Sequence, residues 1–110
     1  TPHAARKQWI AGALKPRGII GVDAGAAAAL RNGKSLLPAG VVAVDGLFDR
    51  GDLIAVEDQA GQTIGHGLSS YSAADAAKIK GHKSREIETM LGYRGRDEMI
   101  HADNLVVIDN

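Results

Sequence analysis

The sequence contains no cysteine among its 110 residues. Disulfide bonds, thiolate metal sites and a cysteine nucleophile are therefore excluded. Aromatic residues make up only 4% of the chain, which is too few for the stacked aromatic rings that hold single-stranded bases. The 13 lysine and arginine residues are balanced by 13 aspartate and glutamate residues. That balance excludes a broadly basic nucleic-acid binder, but it leaves room for a local basic patch.

Long hydrophobic runs are also missing from the chain. No segment is long enough to span a bilayer and no signal peptide opens the sequence, so we expect a cytoplasmic protein without a membrane partner. The chain opens on Thr1 instead of a methionine, which we interpret as a segment of a longer protein. Its length suits one domain with a single hydrophobic core.

Short hydrophobic segments separated by turn formers predict a sheet of several strands. The predicted strands are residues 18–22, 40–44, 53–56, 62–68 and 104–108. Gly65 and Gly67 within one of them indicate a bulge or a tight corner. Because short turns such as residues 58–61 join neighbouring strands, we expect a mostly antiparallel sheet that closes on itself.

Short helices are predicted around this sheet. Residues 6–14 form the first, with Trp9 as its hydrophobic anchor. Asp23 is a suitable N-cap for the second, over residues 24–30, which the left-handed pair Asn32-Gly33 ends.

Two further helices are predicted to begin at serine caps. Ser72 and Asp75 have the S-x-x-D spacing of a capping box. Ser84 precedes a segment whose apolar residues recur at helical spacing and share one buried face, namely Ile87, Met90 and Leu91.

The segment Gly33-Lys34-Ser35 matches the last three positions of a Walker phosphate-binding loop. Ala28 stands where the first glycine of that motif belongs, and the segment follows a helix instead of preceding one. The helix N-terminus and the backbone N–H groups that would hold a phosphate are then absent. We interpret the segment as a helix stop and not as a nucleotide site.

Other short motifs also have a plain structural interpretation. Residues 50–52 spell Arg-Gly-Asp, which between two strands indicates a turn. The four histidines lack the spacing of a metal site; they are His3, His66, His82 and His101. No Ser/His/Asp set or carboxylate pair can be argued from the sequence, so we predict no catalytic residue and no metal ligand in this chain.

One dense basic cluster stands out, and its residues are Lys78, Lys80, His82, Lys83 and Arg85. Such a run usually forms the solvated side of a helix. The functional alternative is contact with the backbone of RNA or with an acidic partner surface. The sequence alone leaves both interpretations open.

Eight short blocks occur in an order that resembles a known family. They include SLLPAGV at residues 35–41 and GLFDRGD at residues 46–52, and the others are residues 6–12, 22–26, 67–72, 79–81, 91–93 and 101–106. Together they are similar to PUA domains, in particular to the C-terminal PUA domain of bacterial glutamate 5-kinases. The chain departs from that family at Ala102, where an arginine is usual.

The resemblance implies an α+β, mainly β fold: a PUA-like pseudo-barrel of mixed, mostly antiparallel strands with short flanking helices. It implies a PUA domain over residues 17–110, preceded by a linker or helix over residues 1–16 from an upstream amino-acid-kinase domain. That upstream domain would be this chain's partner and would hold ATP and Mg²⁺, and no cofactor is expected here. A homo-oligomer would form through the parent enzyme.

Two functions follow from the resemblance. The first is a non-catalytic regulatory or assembly module of a glutamate 5-kinase, whose parent enzyme phosphorylates the side-chain carboxylate of glutamate in the first step of proline biosynthesis. The second is an RNA-binding module, because PUA domains elsewhere bind structured RNA. Carried over by position, that surface includes Lys34, Ser35, Pro38 and Gly40 and the final strand from Leu105 onward.

Overall fold

The computed structural model describes residues 2–12 and 15–108, with side chains for residues 5–10 and 15–108. The predicted helix residue Leu14 lies outside this part of the chain. The helices are α1 (Pro2–Gly12), α2 (Ala24–Arg31), α3 (Ala73–Ile79) and α4 (Ile87–Leu91). The strands are β1 (Gly18–Val22), β2 (Val41–Gly46), β3 (Leu53–Glu57), β4 (Thr63–Leu68) and β5 (Leu105–Val107). Three 3₁₀ turns complete the chain, at Pro38–Gly40, Ser84–Glu86 and Ala102–Asn104.

The five strands form one sheet in the order β2-β1-β3-β4-β5. Three of the neighbouring pairs are antiparallel, and β1 with β3 is the parallel pair. The central strand β3 is buried along almost its whole length, as expected for a strand that has neighbours on both sides and helices over the sheet. The prediction of a mixed, mostly antiparallel sheet is confirmed.

Within the described residues the strands do not form a closed ring, but the sheet curls until its two edges meet. Leu36, just before β2, forms an isolated antiparallel bridge with Ile100, just before β5. The Leu36 N–H donates to the Ile100 carbonyl at 2.9 Å, and the Met99 N–H donates to the Leu36 carbonyl at 2.7 Å. The fold is therefore an α+β pseudo-barrel, as predicted.

The glycines of β4 allow this curvature. A Cβ on Gly65 would lie 2.7 Å from the Val106 carbonyl oxygen, and one on Gly67 would lie 2.9 Å from the Asn104 carbonyl oxygen. The register of β3 and β4 skips Ile64, so the predicted bulge is present one residue before Gly65. Glycine is needed here because β5 and the turn before it pass too close for a side chain.

Helix α1 packs on the sheet through a residue other than the predicted anchor. Trp9 is 61% exposed, whereas the neighbouring Ile10 is fully buried. The Arg6 guanidinium donates a 2.6 Å hydrogen bond to the Asn104 side chain in the turn before β5. The prediction of Trp9 as the anchor is wrong, because the helix directs the Trp9 ring toward solvent and the Ile10 side chain toward the core.

Two predicted caps also differ from the structure. Asn32 has a φ of −94°, so Gly33, with a φ of +80°, is the left-handed residue that ends α2. The Ser84 hydroxyl does not cap a helix but donates to the Asp97 carbonyl at 2.7 Å. The cap position before that turn belongs to Lys83. No helix of the described part is both long and apolar enough to cross a membrane.

Candidate binding surfaces

Helix α2 and the turn Pro38–Gly40 face each other across a cleft of about 420 Å³, here called the α2 cleft. Asp23 fixes the start of the helix, because its carboxylate accepts from the Ala26 N–H at 2.8 Å. A Cβ on Gly40 would lie 2.5 Å from the Ala26 Cβ, so only glycine lets the turn approach this closely. The walls are mostly small and apolar, with Lys34 and Ser35 among the polar lining groups.

The backbone N–H groups of Gly33 and Lys34, between α2 and β2, form hydrogen bonds within the fold and are not available to a phosphate. The Gly33 N–H donates to the Leu30 carbonyl at 3.0 Å, and the Lys34 N–H donates to the Ala29 carbonyl at 3.0 Å. Both amides are therefore directed back to the helix and not outward into a nest. The prediction that this segment is a helix stop is confirmed.

The residues that the family resemblance places on an RNA-binding surface differ in how accessible they are. Lys34 is exposed, whereas Pro38 is buried beneath the cleft. The Ser35 hydroxyl is already used, since it accepts from the Ala102 N–H at 2.7 Å. Lys34 is therefore the member of this set with a free charged group at the surface of the α2 cleft.

A second cleft of about 210 Å³ lies where α1, the end of α2 and β5 meet, and we call it the β5 cleft. Leu105 and Val107 of β5 contribute to its lining. Three exposed cations, Lys7, Arg31 and Lys34, lie along it. Because Lys34 lines both clefts, the two form one continuous surface with a basic border.

The basic cluster predicted from the sequence lies on a different part of the surface. Lys78, Lys80, Lys83 and Arg85 are all exposed at the end of α3 and in the turn that follows. The Gly81 N–H donates to the Pro38 carbonyl at 2.8 Å, so this segment starts beside the turn that bounds the α2 cleft. None of the three lysines lines the α2 cleft or the β5 cleft.

The histidines are not gathered into a site. His82 lies 3.3 Å from Glu86, and this hydrogen bond lowers the pKa of the exposed Glu86 carboxyl. The His101 ring accepts from the Asp103 N–H at 3.0 Å. Across residues 5–10 and 15–108, no group of three His, Asp or Glu side chains is placed to hold a metal ion, and the His3 side chain lies outside this part.

Sequence analysis missed a third cleft of about 300 Å³ that we call the arginine cleft. Its lining includes Arg50, Tyr93, Arg94 and Arg96. Arg50 is more than 40 positions from the others, and no residue pattern connects the two segments. A signal was nevertheless present in the two arginines that flank Gly95, in a loop without aliphatic residues.

A known family matches most of the fold. The family model described as the PUA domain matches residues 18–91, from the first residue of β1 to the last residue of α4. The chain belongs to the PUA domain family. Solved structures of the same fold include a PUA domain from Aeropyrum pernix K1 in a tartrate complex. It superposes with a TM-score of 0.58 at 24% identity, covering 77% of the chain studied and 41% of that PUA protein.

A structural neighbour with a lower score is part of an archaeal box H/ACA sRNP complex. Its TM-score is 0.52 at 20% identity, and the match covers 84% of this chain and 23% of that neighbour. Among curated proteins, a glutamate 5-kinase from Paramagnetospirillum magneticum is 57% identical over 106 residues. The match covers 96% of this chain and 29% of the kinase. The chain therefore spans less than a third of the length of the relative that it matches.

Proposed function

We propose that this PUA domain is a non-catalytic C-terminal module of a glutamate 5-kinase, with a regulatory or assembly role. The observation that carries the proposal is the 57% identity to a glutamate 5-kinase over 96% of the chain. In this proposal the rest of the enzyme binds ATP and Mg²⁺ and phosphorylates the side-chain carboxylate of glutamate, in the cytoplasm. The PUA domain acts on that reaction through contacts with the kinase domain or with another subunit.

The hydrogen bonding of the polar side chains supports a binding role over a chemical one. Asp23 and Ser72 cap helices. The Ser35 hydroxyl accepts from Ala102 across the join of the sheet, and the Asp75 carboxylate accepts from the Tyr93 hydroxyl. Groups held in this way stabilise the fold and are poorly placed to take up or release a proton during a reaction.

The test compares the full-length enzyme with a truncated enzyme that ends before residue 15. The truncated enzyme should retain phosphoryl transfer to glutamate but change in its oligomeric state, its Mg²⁺ requirement or its inhibition by proline. Steady-state kinetics and light scattering measure these properties. The 110-residue chain alone should show no transfer from ATP to glutamate. Phosphorylation by the isolated chain, or a truncated enzyme identical to the intact one, would contradict the proposal.

RNA binding is the second candidate, and the basic border shared by the α2 and β5 clefts favours it. A structural neighbour of the same fold belongs to a ribonucleoprotein complex. Contacts with phosphates make affinity fall steeply as salt rises. A Lys34→Gln variant should bind structured RNA more weakly and with a shallower salt dependence than the parent chain, whereas a Lys15→Gln variant should match the parent.

Fluorescence anisotropy against a structured RNA at low salt separates the two candidate surfaces. If the basic cluster after α3 carries the binding, Lys80→Gln and Lys83→Gln will weaken it while Lys34→Gln will not. A flat titration at low salt would remove RNA binding as a function of this domain.

A further inference from the structure

The arginine cleft is a preformed site that the roles discussed above do not use. It lies between two loops, one before β3 that carries Arg50 and one after α4 that carries Arg94 and Arg96. Within the described part of the chain, none of these guanidinium groups takes part in an ion pair or side-chain hydrogen bond. Three exposed arginines share this concave surface, and an anion bound among them would reduce the repulsion between their charges.

The loop after α4 is fixed from beneath by a buried tyrosine. The Tyr71 ring is 1% exposed, and its hydroxyl donates to the Arg96 carbonyl. A Cβ on Gly95 would overlap that hydroxyl, so the chain can wrap around it only with glycine at this position. The backbone of Arg94 and Arg96 is therefore held in place by the buried Tyr71 side chain.

The loop that carries Arg50 is equally well held. The Asp49 N–H donates to the Asp52 carboxylate at 2.8 Å, and the Gly51 N–H donates to the Ser69 carbonyl at 2.8 Å. Gly51 has a φ of +85°, which favours glycine. Because these hydrogen bonds hold both loops without a ligand, we expect little conformational entropy to be lost when the cleft is filled.

The nearby carboxylates lie outside the lining of the arginine cleft. Asp97 and Glu98 are near enough to contribute to the raised pKa of Tyr71, whose main cause is burial, but neither lines the cleft. Asp75 accepts from the Tyr93 hydroxyl at 2.5 Å and does not line the cleft. The charged groups that line the cleft are all cations.

We propose that the arginine cleft binds the phosphate group of a small phosphorylated molecule. Guanidinium groups bind phosphate through paired hydrogen bonds, and a phosphate dianion balances more of the three charges than a single carboxylate does. The cleft volume of about 300 Å³ exceeds that of a phosphate ion. The ring of Tyr93, which is 40% exposed, offers an aromatic surface for the remainder of the molecule.

The test follows the backbone amides of the 110-residue chain by NMR during titration with inorganic phosphate, with AMP and with adenosine. Phosphate or AMP should produce saturable shifts at Ser70, Tyr93 and Gly95, and adenosine should produce none. Tighter binding of AMP than of inorganic phosphate would identify a phosphate ester as the source, and the reverse would identify the free ion. Absence of a saturable shift at tens of millimolar phosphate or AMP would overturn the proposal.

Charge-removing variants show whether binding depends on this cleft. The Arg94→Gln/Arg96→Gln double variant should bind roughly tenfold more weakly or worse. The Lys15→Gln/Arg17→Gln variant removes the same charge from exposed positions outside the cleft and should bind normally. Arg50→Gln leaves the loop after α4 intact and should also weaken binding. This variant therefore still tests the proposal if the double variant misfolds. Equal affinity in Arg50→Gln and the parent chain would contradict the assignment.

Discussion

At the scale of single residues, Gly95 shows how a steric requirement fixes a position in a loop. Its backbone lies over the Tyr71 hydroxyl, where even a methyl group has no room. Gly25 provides the contrast, since a Cβ there would lie an ordinary 3.5 Å from an Asp23 carboxylate oxygen. The two glycines therefore predict opposite outcomes for the same chemical change.

We expect Gly95→Ala to destabilise the fold by about 1–3 kcal/mol, because the added methyl group forces the loop or the Tyr71 ring to move. Gly25→Ala should stabilise it by about 0.4–1 kcal/mol, because alanine restricts the unfolded chain and suits the first turn of α2. Urea denaturation of the two variants and the parent measures both changes. A Gly95→Ala variant as stable as Gly25→Ala would show that the loop does not rest on Tyr71.

At the scale of secondary-structure elements, Tyr93 ties the loop after α4 to the start of α3. Its hydroxyl donates to the Asp75 carboxylate, which raises the pKa of Tyr93 to about 12. The same carboxylate was predicted to complete a capping box with Ser72. The structure confirms half of that prediction, since the Ser72 hydroxyl accepts from the Asp75 N–H at 3.2 Å while the carboxylate serves the neighbouring loop.

This bond predicts a particular dependence of stability on pH. The folded state favours the neutral phenol, so the stabilisation is fully present below the ordinary tyrosine pKa of about 10. The stabilisation is lost as the pH rises through the pKa of Tyr93 in the folded state, which is about 12. Tyr93→Phe should cost less than about 1 kcal/mol at neutral pH, because the pair is partly exposed. The difference between parent and variant should shrink above pH 10 or so.

Absorbance of tyrosinate against pH, combined with denaturation of the parent and Tyr93→Phe chains, tests this directly. Tyr71 is common to both proteins, so its titration cancels in the comparison. A Tyr93 that titrates near its ordinary value would mean that the hydrogen bond to Asp75 does not persist in solution.

The elements also show what the sequence could and could not predict. The strands and the Asp23 cap depend on local chemistry, and local patterns predicted them within one or two residues. The Ser84 cap failed because Ser84 is the first residue of the turn itself and Lys83 holds the cap position, while the Ser84 hydroxyl donates to the Asp97 carbonyl, which is distant in sequence. The arginine cleft was missed for the same reason, since Arg50 meets Arg94 and Arg96 only after the sheet has formed. Single-sequence patterns carry little information about such long-range pairs.

At the scale of the whole molecule, the fold depends on joining the two edges of a five-stranded sheet. An open sheet would leave the backbone groups of its edges without partners. Here Leu36 and Ile100 pair directly, and the Ser35 hydroxyl accepts from the Ala102 N–H beside them. Ser35 thus has a structural role at the same place where family resemblance predicts a role in binding.

We therefore expect Ser35→Ala to destabilise the chain by about 1 kcal/mol, because it leaves the half-buried Ala102 N–H without its acceptor. Ser70→Ala is the matched control, since the hydrogen bond that holds Ser70 comes from its backbone N–H to the Met99 carbonyl at 2.9 Å. Hydrogen exchange should show strong protection of the Leu36, Met99 and Ile100 amides in the parent chain. In Ser35→Ala their exchange should accelerate more than that of the β1 and β3 amides, because the join opens before the centre of the sheet. If the exchange rates of all these amides rose equally, the join would unfold together with the centre of the sheet and would not open separately.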